Sequence, residues 1–583
     1  MNRYPLLLIP LLLTAAPARA DEAADRLAAA AKAVLEKTCA RCHANGQAEG
    51  GFNFVLDAKQ LVERKRVIAG DSAKSRLFKK VQSGEMPPED EKPRPTADEI
   101  AALKAWIDAG APAFPTTPAT GGRRPFLPEE SALAVVRDHL KNLPAQGDQQ
   151  FQRYFTLTHL HNNPSVSDQD LRWQRAALAK VVNSLSWKPG IVVPRALDKD
   201  ETVFAVDLRD LDWERRRVWE EVSRHYPYGL KLDGHREEQT RSVAAEVYRL
   251  SGTDLPVLRA DWFVATATRP PLYHTILDLP DSDAKLEKLL NVDVKENFLG
   301  DKLSRAGFAK SGVSSQNRLI ERHKAAHGAY WKSYDFKSND GTGNLFRFPL
   351  GPAFKDNPFA DQAFEHAGGE LIFHLPNGLQ GYLLVDDKGK RIDEGPTDVV
   401  SDTNKSSGTV SIVNGLSCMV CHKHGMIRDG FKDEVRDGAG VAGAARDKVQ
   451  RLHPSANDFT ALMRDDENRF LAALDRAAGR FLKVGPEKNT DIREFTDEPI
   501  GRVVRAYHRD LTLQDAATEL GLADAQGLAT SIAGNNRLRE LGLGALAGGG
   551  TLKRDVWSSV KQRLSPFQRA ALELNRGSPH LPF

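Results

Sequence analysis

The chain runs to 583 residues yet contains only four cysteines and five methionines. Four cysteines are too few to staple a chain of this length with disulfides. Its charges nearly cancel, at +3 overall, and nothing suggests the concentrated basic face that nucleic acid would require. Beyond the first twenty residues, no apolar run approaches the ~20 residues a membrane-spanning helix needs. There is no long internal repeat. The one early apolar stretch is MNRYPLLLIPLLLTAAPARA, where a single Arg3 precedes a short apolar core and Ala18-Arg19-Ala20 closes it. That order is the pattern of a secretory leader, residues 1–20, too short to span a bilayer. The expected mature protein is soluble, has no membrane span and lies in the periplasm or outside the cell.

An exported chain ordinarily spends its cysteines on disulfides. Spacing argues otherwise here. Cys39 and Cys42 directly precede His43 in KTCARCHANG, and Cys418 and Cys421 directly precede His422 in NGLSCMVCHKHGM. C-x-x-C-H is the attachment signature of c-type haem. The two thiols form thioethers with the haem vinyl groups, and the histidine becomes an axial ligand of the iron. Both pairs fit and no cysteine is left over, so the sequence predicts two covalent haem c groups with His43 and His422 on the irons.

Composition divides the remainder. Residues 21–114 form a compact first unit: a helix-prone, Ala-rich stretch leads into Cys39, and Thr96 to Glu99 is a capping box. The helix it opens puts Ile100, Leu103, Trp106 and Ile107 on one face and stops at Gly110. Residues 115–126 are rich in Pro, Thr and Gly and read as a linker, or else as an ordered surface loop. Residues 127–400 have globular composition, with helices over 168–185 and 212–224 and a β-meander over 369–393 turning at Pro376-Asn377-Gly378 and Asp387-Lys388-Gly389. The second haem segment, 401–485, follows. Residues 486–583 read as a small helical domain, clearest in DAATELGL and NNRLRELGLGAL. The fold class expected is a mainly α multidomain protein with an α+β middle region.

CARCHANGQAEGGFNFVLD, VIAGDSAKSRLFKKVQSGEMPP and LKAWIDAGAP together resemble the planctomycete-type cytochrome c domain, over roughly residues 37–113. The resemblance implies a class I-like haem fold with His43 as proximal and Met86 as distal ligand. The residues point to Met86 independently: methionine is scarce, and Pro87-Pro88 stiffen the segment behind it, although a methionine can also simply fill a core gap. A thioether opposite a histidine favours ferrous iron and raises the potential, which suits electron transfer.

The second site lacks such a segment. Met463 lies 41 residues beyond His422, but in what reads as a plain amphipathic helix, so it is either a ligand or a core residue. His424 and Met426 lie too close to His422 to reach its far side. His159, His161, His274, His374, His453 and His508 compete as scattered candidates. His323 and His327 form the densest cluster, at i and i+4 if helical, without the carboxylate of a metalloprotease motif. Aromatic-rich segments before the second motif suit a haem pocket or a large core equally.

Three functions are compatible with these features. The first is an exported dihaem electron carrier serving an unknown redox partner protein. The second is a peroxidase- or oxidase-like enzyme in which haem one relays electrons to an open haem two, and the third is a haem-based sensory module.

Overall fold

The computed structural model describes residues 18–43, 52, 54–89, 91, 94–114, 124–403, 405–428, 432–561 and 563–581. Most of the leader and of the 115–126 linker therefore lies outside the described residues. The chain divides into two compact units, Met1–Arg123 and Arg124–Phe583.

The first unit is helical: α1 (Ala18–Thr38), α2 (Ala40–His43), α3 (Ala58–Glu63), α4 (Arg76–Gln82) and α5 (Ala97–Asp108). The capping box forms as the sequence requires. Thr96 Oγ1 accepts from Glu99 N at 3.3 Å and Glu99 Oε2 accepts from Thr96 N at 2.8 Å, satisfying two donors that the helix start would leave orphaned. Ala28, Ala31 and Leu35 of α1 share a core with Leu103, Trp106 and Ile107 of α5. Small residues on α1 let the two helices approach closely, and the Trp106 indole finds Pro112 O at 2.9 Å. Gly110, at φ +95°, ends the helix.

The second unit mixes helices with three sheets. Strands β1 (Gln152–Thr156), β2 (Arg195–Ala196), β3 (Val203–Asp207) and β4 (Val257–Arg259) form the first, in the order β2-β3-β1-β4. The second is antiparallel: β5 (Leu303–Phe308), β6 (Arg318–Ala325), β7 (Gly328–Asp335), β8 (Gly368–His374) and β9 (Gln380–Asp386), lying in chain order. Leu230–His235 pairs with Arg576–Pro579 as the third. Helices α6 (Asp168–Ser184), α7 (Leu416–Cys421), α8 (Ala456–Leu482) and α9 (Pro499–Tyr507) complete the frame around the second haem motif. α6 opens on a Ser167/Asp170 capping box, is buried along most of its length, and packs against α8 and α9. One hydrophobic core runs from Phe155 to Ala571, so residues 401–485 and 486–583 share it with the middle region.

Three local expectations change. The helix expected over 212–224 begins only at Val218, because Asp212 and Arg217 adopt left-handed backbone (φ 59° and 52°). The helix suggested by NNRLRELGLGAL breaks at Gly542, whose φ is +88°. ERHKAAHGAYWKSYDF is not helical but a hairpin of β6 and β7, so His323 and His327 do not share a helical face. Its second half, GAYWKSYD, is rich in aromatics, which favour the pleated surface of a sheet.

Candidate haem-binding sites

At the first motif, α2 winds Cys39, Cys42 and His43 into a single turn. Cys42 N and His43 N both donate to Cys39 O, at 3.2 and 3.0 Å, which brings thiols three residues apart to the same side of the turn. His43 Nδ1 donates to Phe52 O at 3.0 Å. That bond fixes the tautomer and leaves the Nε2 lone pair for a metal. Burial raises the Cys39 thiol pKa, against the nearby Thr38 hydroxyl. Met86 is half-buried, and its amide donates to Lys80 O at 3.0 Å. Its segment is clamped by Arg94, whose guanidinium donates to Gly84 O (2.7 Å), Pro87 O (2.6 Å) and Pro88 O (2.7 Å).

The second motif repeats this construction. Cys418 and Cys421 lie on α7, and His422 closes it, its amide donating to Cys418 O at 2.8 Å. His422 Nδ1 donates to Gly425 O at 3.1 Å, again leaving Nε2 for a metal. Gly415 starts the turn at φ +85°. A Cβ there would lie 2.7 Å from Thr268 O and from the Tyr273 ring, so only glycine lets the motif pack so closely.

What surrounds His422 comes from the second sheet. Alternation along the strands places Arg318, Ser333, Asp335, Glu370 and Tyr382 on one face, given the pairings Arg318↔Asp335, Asp335↔Gly368, Ile372↔Tyr382 and Glu370↔Leu384. The Tyr382 ring stacks on His422, with centroids 6.0 Å apart. Glu370 Oε2 lies 3.8 Å from His422 Nε2 and 3.4 Å from Arg318 Nη2, and its side chain is only 16 % exposed. Burial alone would raise the Glu370 carboxyl, but His422, Arg318 and Cys418 hold it at about 2. Burial and that carboxylate push the Cys418 thiol well above its usual range, and burial lifts Cys421 to about 11 against the Ser406 hydroxyl. All four cysteines are free thiols. Unbridged thiols in a helical turn, beside an imidazole tied at Nδ1, are a donor set that fits covalent haem at both motifs.

Residues 39–90 match the planctomycete cytochrome C family. No curated protein and no solved structure matches the chain. The cytochrome c domain implies covalent haem c at Cys39 and Cys42 and a haem-based role in electron transfer. Among the described residues, no helix is long and apolar enough to cross a membrane.

Outside the cytochrome c domain, the other candidates are distributed through the second unit. Met463 lies buried on α8. That helix meets Gly425 through Glu467 and Phe470, and Met463 sits one turn earlier on the same face. Most of the competing histidines are engaged elsewhere. His159 pairs with Asp261 at 3.0 Å, His161 donates to Pro125 O at 3.1 Å, and His323 lies between Asn297 and Glu321, at 3.1 Å from each. His374 Nδ1 accepts from Ala329 N at 3.1 Å, His424 donates to Phe495 O at 3.1 Å, and His453 pairs with Asp433 at 3.0 Å. Sequence reasoning missed Arg94, Arg318, Glu370 and Tyr382. The only local signal was a charged residue, Glu370, opening an otherwise apolar strand.

Proposed function

We propose that the protein is an exported dihaem c-type cytochrome that passes electrons to a redox partner protein through haems held at Cys39/Cys42 and Cys418/Cys421. The supporting observation is the common construction of the two motifs: free thiols across one helical turn, then a histidine whose Nδ1 is bonded to a backbone carbonyl. Bound haem supplies a one-electron iron couple at each site. The chain's residues do the rest. His43 and His422 present Nε2 in a fixed orientation, and Arg94 holds the Met86 segment so that its thioether can serve as the second ligand at the first site. Export rests on the leader-like pattern of residues 1–20.

A potentiometric titration of the purified protein tests this reading. Two one-electron waves are expected, with no catalytic consumption of peroxide or oxygen. Rapid turnover of either substrate would instead favour the enzyme reading, in which the second haem does chemistry.

A further inference from the structure

We propose that the second unit holds a binding site for a neutral, single-ring compound of the size of phenol, whose hydroxyl group donates to Glu129. The site involves neither haem motif and is independent of the proposed dihaem function.

Its basis is a cavity of about 160 Å³ lined from both the first and the third sheet. Val203 of β3, Val257 of β4 and Leu232 of the third sheet supply apolar wall, together with Leu133 and Val136 of the helix Glu129–Lys141. Alternation along β3 explains why space is left there. Phe204 and Val206 point into the large core, while Val203 and Ala205 face a smaller apolar cluster with Leu133, Val136 and Leu232. The smaller side chains on that face leave part of the volume unfilled. An apolar cavity of about 150 Å³ holds one benzene, so this one takes a single ring and little more.

The polar side chains of the lining set the ligand's charge. Arg259 donates to Glu519 Oε2 at 2.9 Å and to Glu519 O at 2.5 Å. Arg554 and Trp557 also donate to the Glu519 carboxylate, at 2.7 and 2.8 Å. His159 pairs with Asp261 at 3.0 Å, and the Thr156 and Thr158 hydroxyls bond each other at 2.8 Å. These groups satisfy one another, so a charged ligand would leave water without gaining an unpaired partner of opposite sign.

Glu129 is different. Its Oε2 accepts from Arg576 Nη2 at 3.3 Å, but its Oε1 has no hydrogen-bond partner among the described residues. Burial pushes the Glu129 carboxyl up, against the neighbouring Arg576. A hydroxyl donating to Oε1 supplies the missing bond and favours the ionised carboxylate. An ammonium head fits less well, because Arg576 already stands beside that carboxylate.

The test titrates the purified full chain with phenol, benzene, benzoate and benzylammonium in a calorimeter. Phenol should bind at one site per chain, about tenfold or more tighter than benzene, which lacks the hydrogen bond. Neither ion should bind. Glu129→Leu should remove phenol's advantage over benzene, and Val136→Trp, which fills the cavity, should abolish binding of both. Absence of phenol binding would overturn the site. Equal affinity for phenol and benzene, or an ion binding as tightly as phenol, would overturn the ligand class. Should the variants fail to fold, nuclear Overhauser contacts between phenol and methyl-labelled valines of the unmutated protein decide the matter. Contacts to Val136 and Val203 are expected, and their absence would overturn the inference.

Discussion

Arg94 fixes the segment that carries Met86, the proposed sulfur ligand of the first haem, through three carbonyls. Met86→Ala should abolish the sulfur-to-iron charge-transfer band of the first haem and lower its potential. Arg94→Ala should keep the band at low temperature but lose it on warming well before unfolding, because hydrogen bonds worth about 1 kcal/mol in net stability hold the segment in place. Temperature-dependent absorption separates these outcomes. Elsewhere, a buried ionic cluster carries a pH signature. Burial would raise the Asp261 carboxyl, but His159, Arg259 and Arg554 outweigh it and hold it at about 2, below its ordinary 3.8. Since the folded value is the lower one, the stabilisation is complete above about pH 4 and fades as pH falls towards 2. Asp261→Asn should therefore cost on the order of 2 kcal/mol at neutral pH and progressively less in acid, measured by denaturant unfolding at several pH values.

At the scale of elements, α7 carries the second motif and the second sheet lines it. Gly415→Ala would drive a Cβ into Thr268 O and Tyr273 while straining a left-handed backbone. Such strain costs about 1–3 kcal/mol, so this variant should incorporate haem poorly at the second site while the first site fills normally, measured as haem per chain. The two motifs were legible in the sequence because C-x-x-C-H is local chemistry: one turn of helix brings all the groups together. A capping box made the start of α5 legible for the same reason. Glu370, Arg318 and Tyr382 were not legible, since only strand pairing across β6 to β9 brings them to one face, and register is a tertiary property. The His323/His327 segment showed the opposite difficulty. His-Lys-Ala-Ala-His suits a helix locally, yet the aromatic strand that follows pulls it into a hairpin.

For the molecule as a whole, the two units differ in how they enclose their motifs. The first gathers a small core around α1 and α5 next to its motif. The second embeds α7 in one core assembled from residues that lie hundreds of positions apart. Composition and turn-rich stretches suggested divisions near 400 and 485, but a shared core leaves no mark in the intervening sequence, which is why its extent emerged only from packing. This difference predicts that Cys39→Ala/Cys42→Ala and Cys418→Ala/Cys421→Ala each remove one haem without removing the other. The most direct measurement of the central claim is the mass of the denatured, unmutated protein. The account predicts the chain plus two covalently retained haem groups, and a chain carrying a single haem, or none, would contradict it.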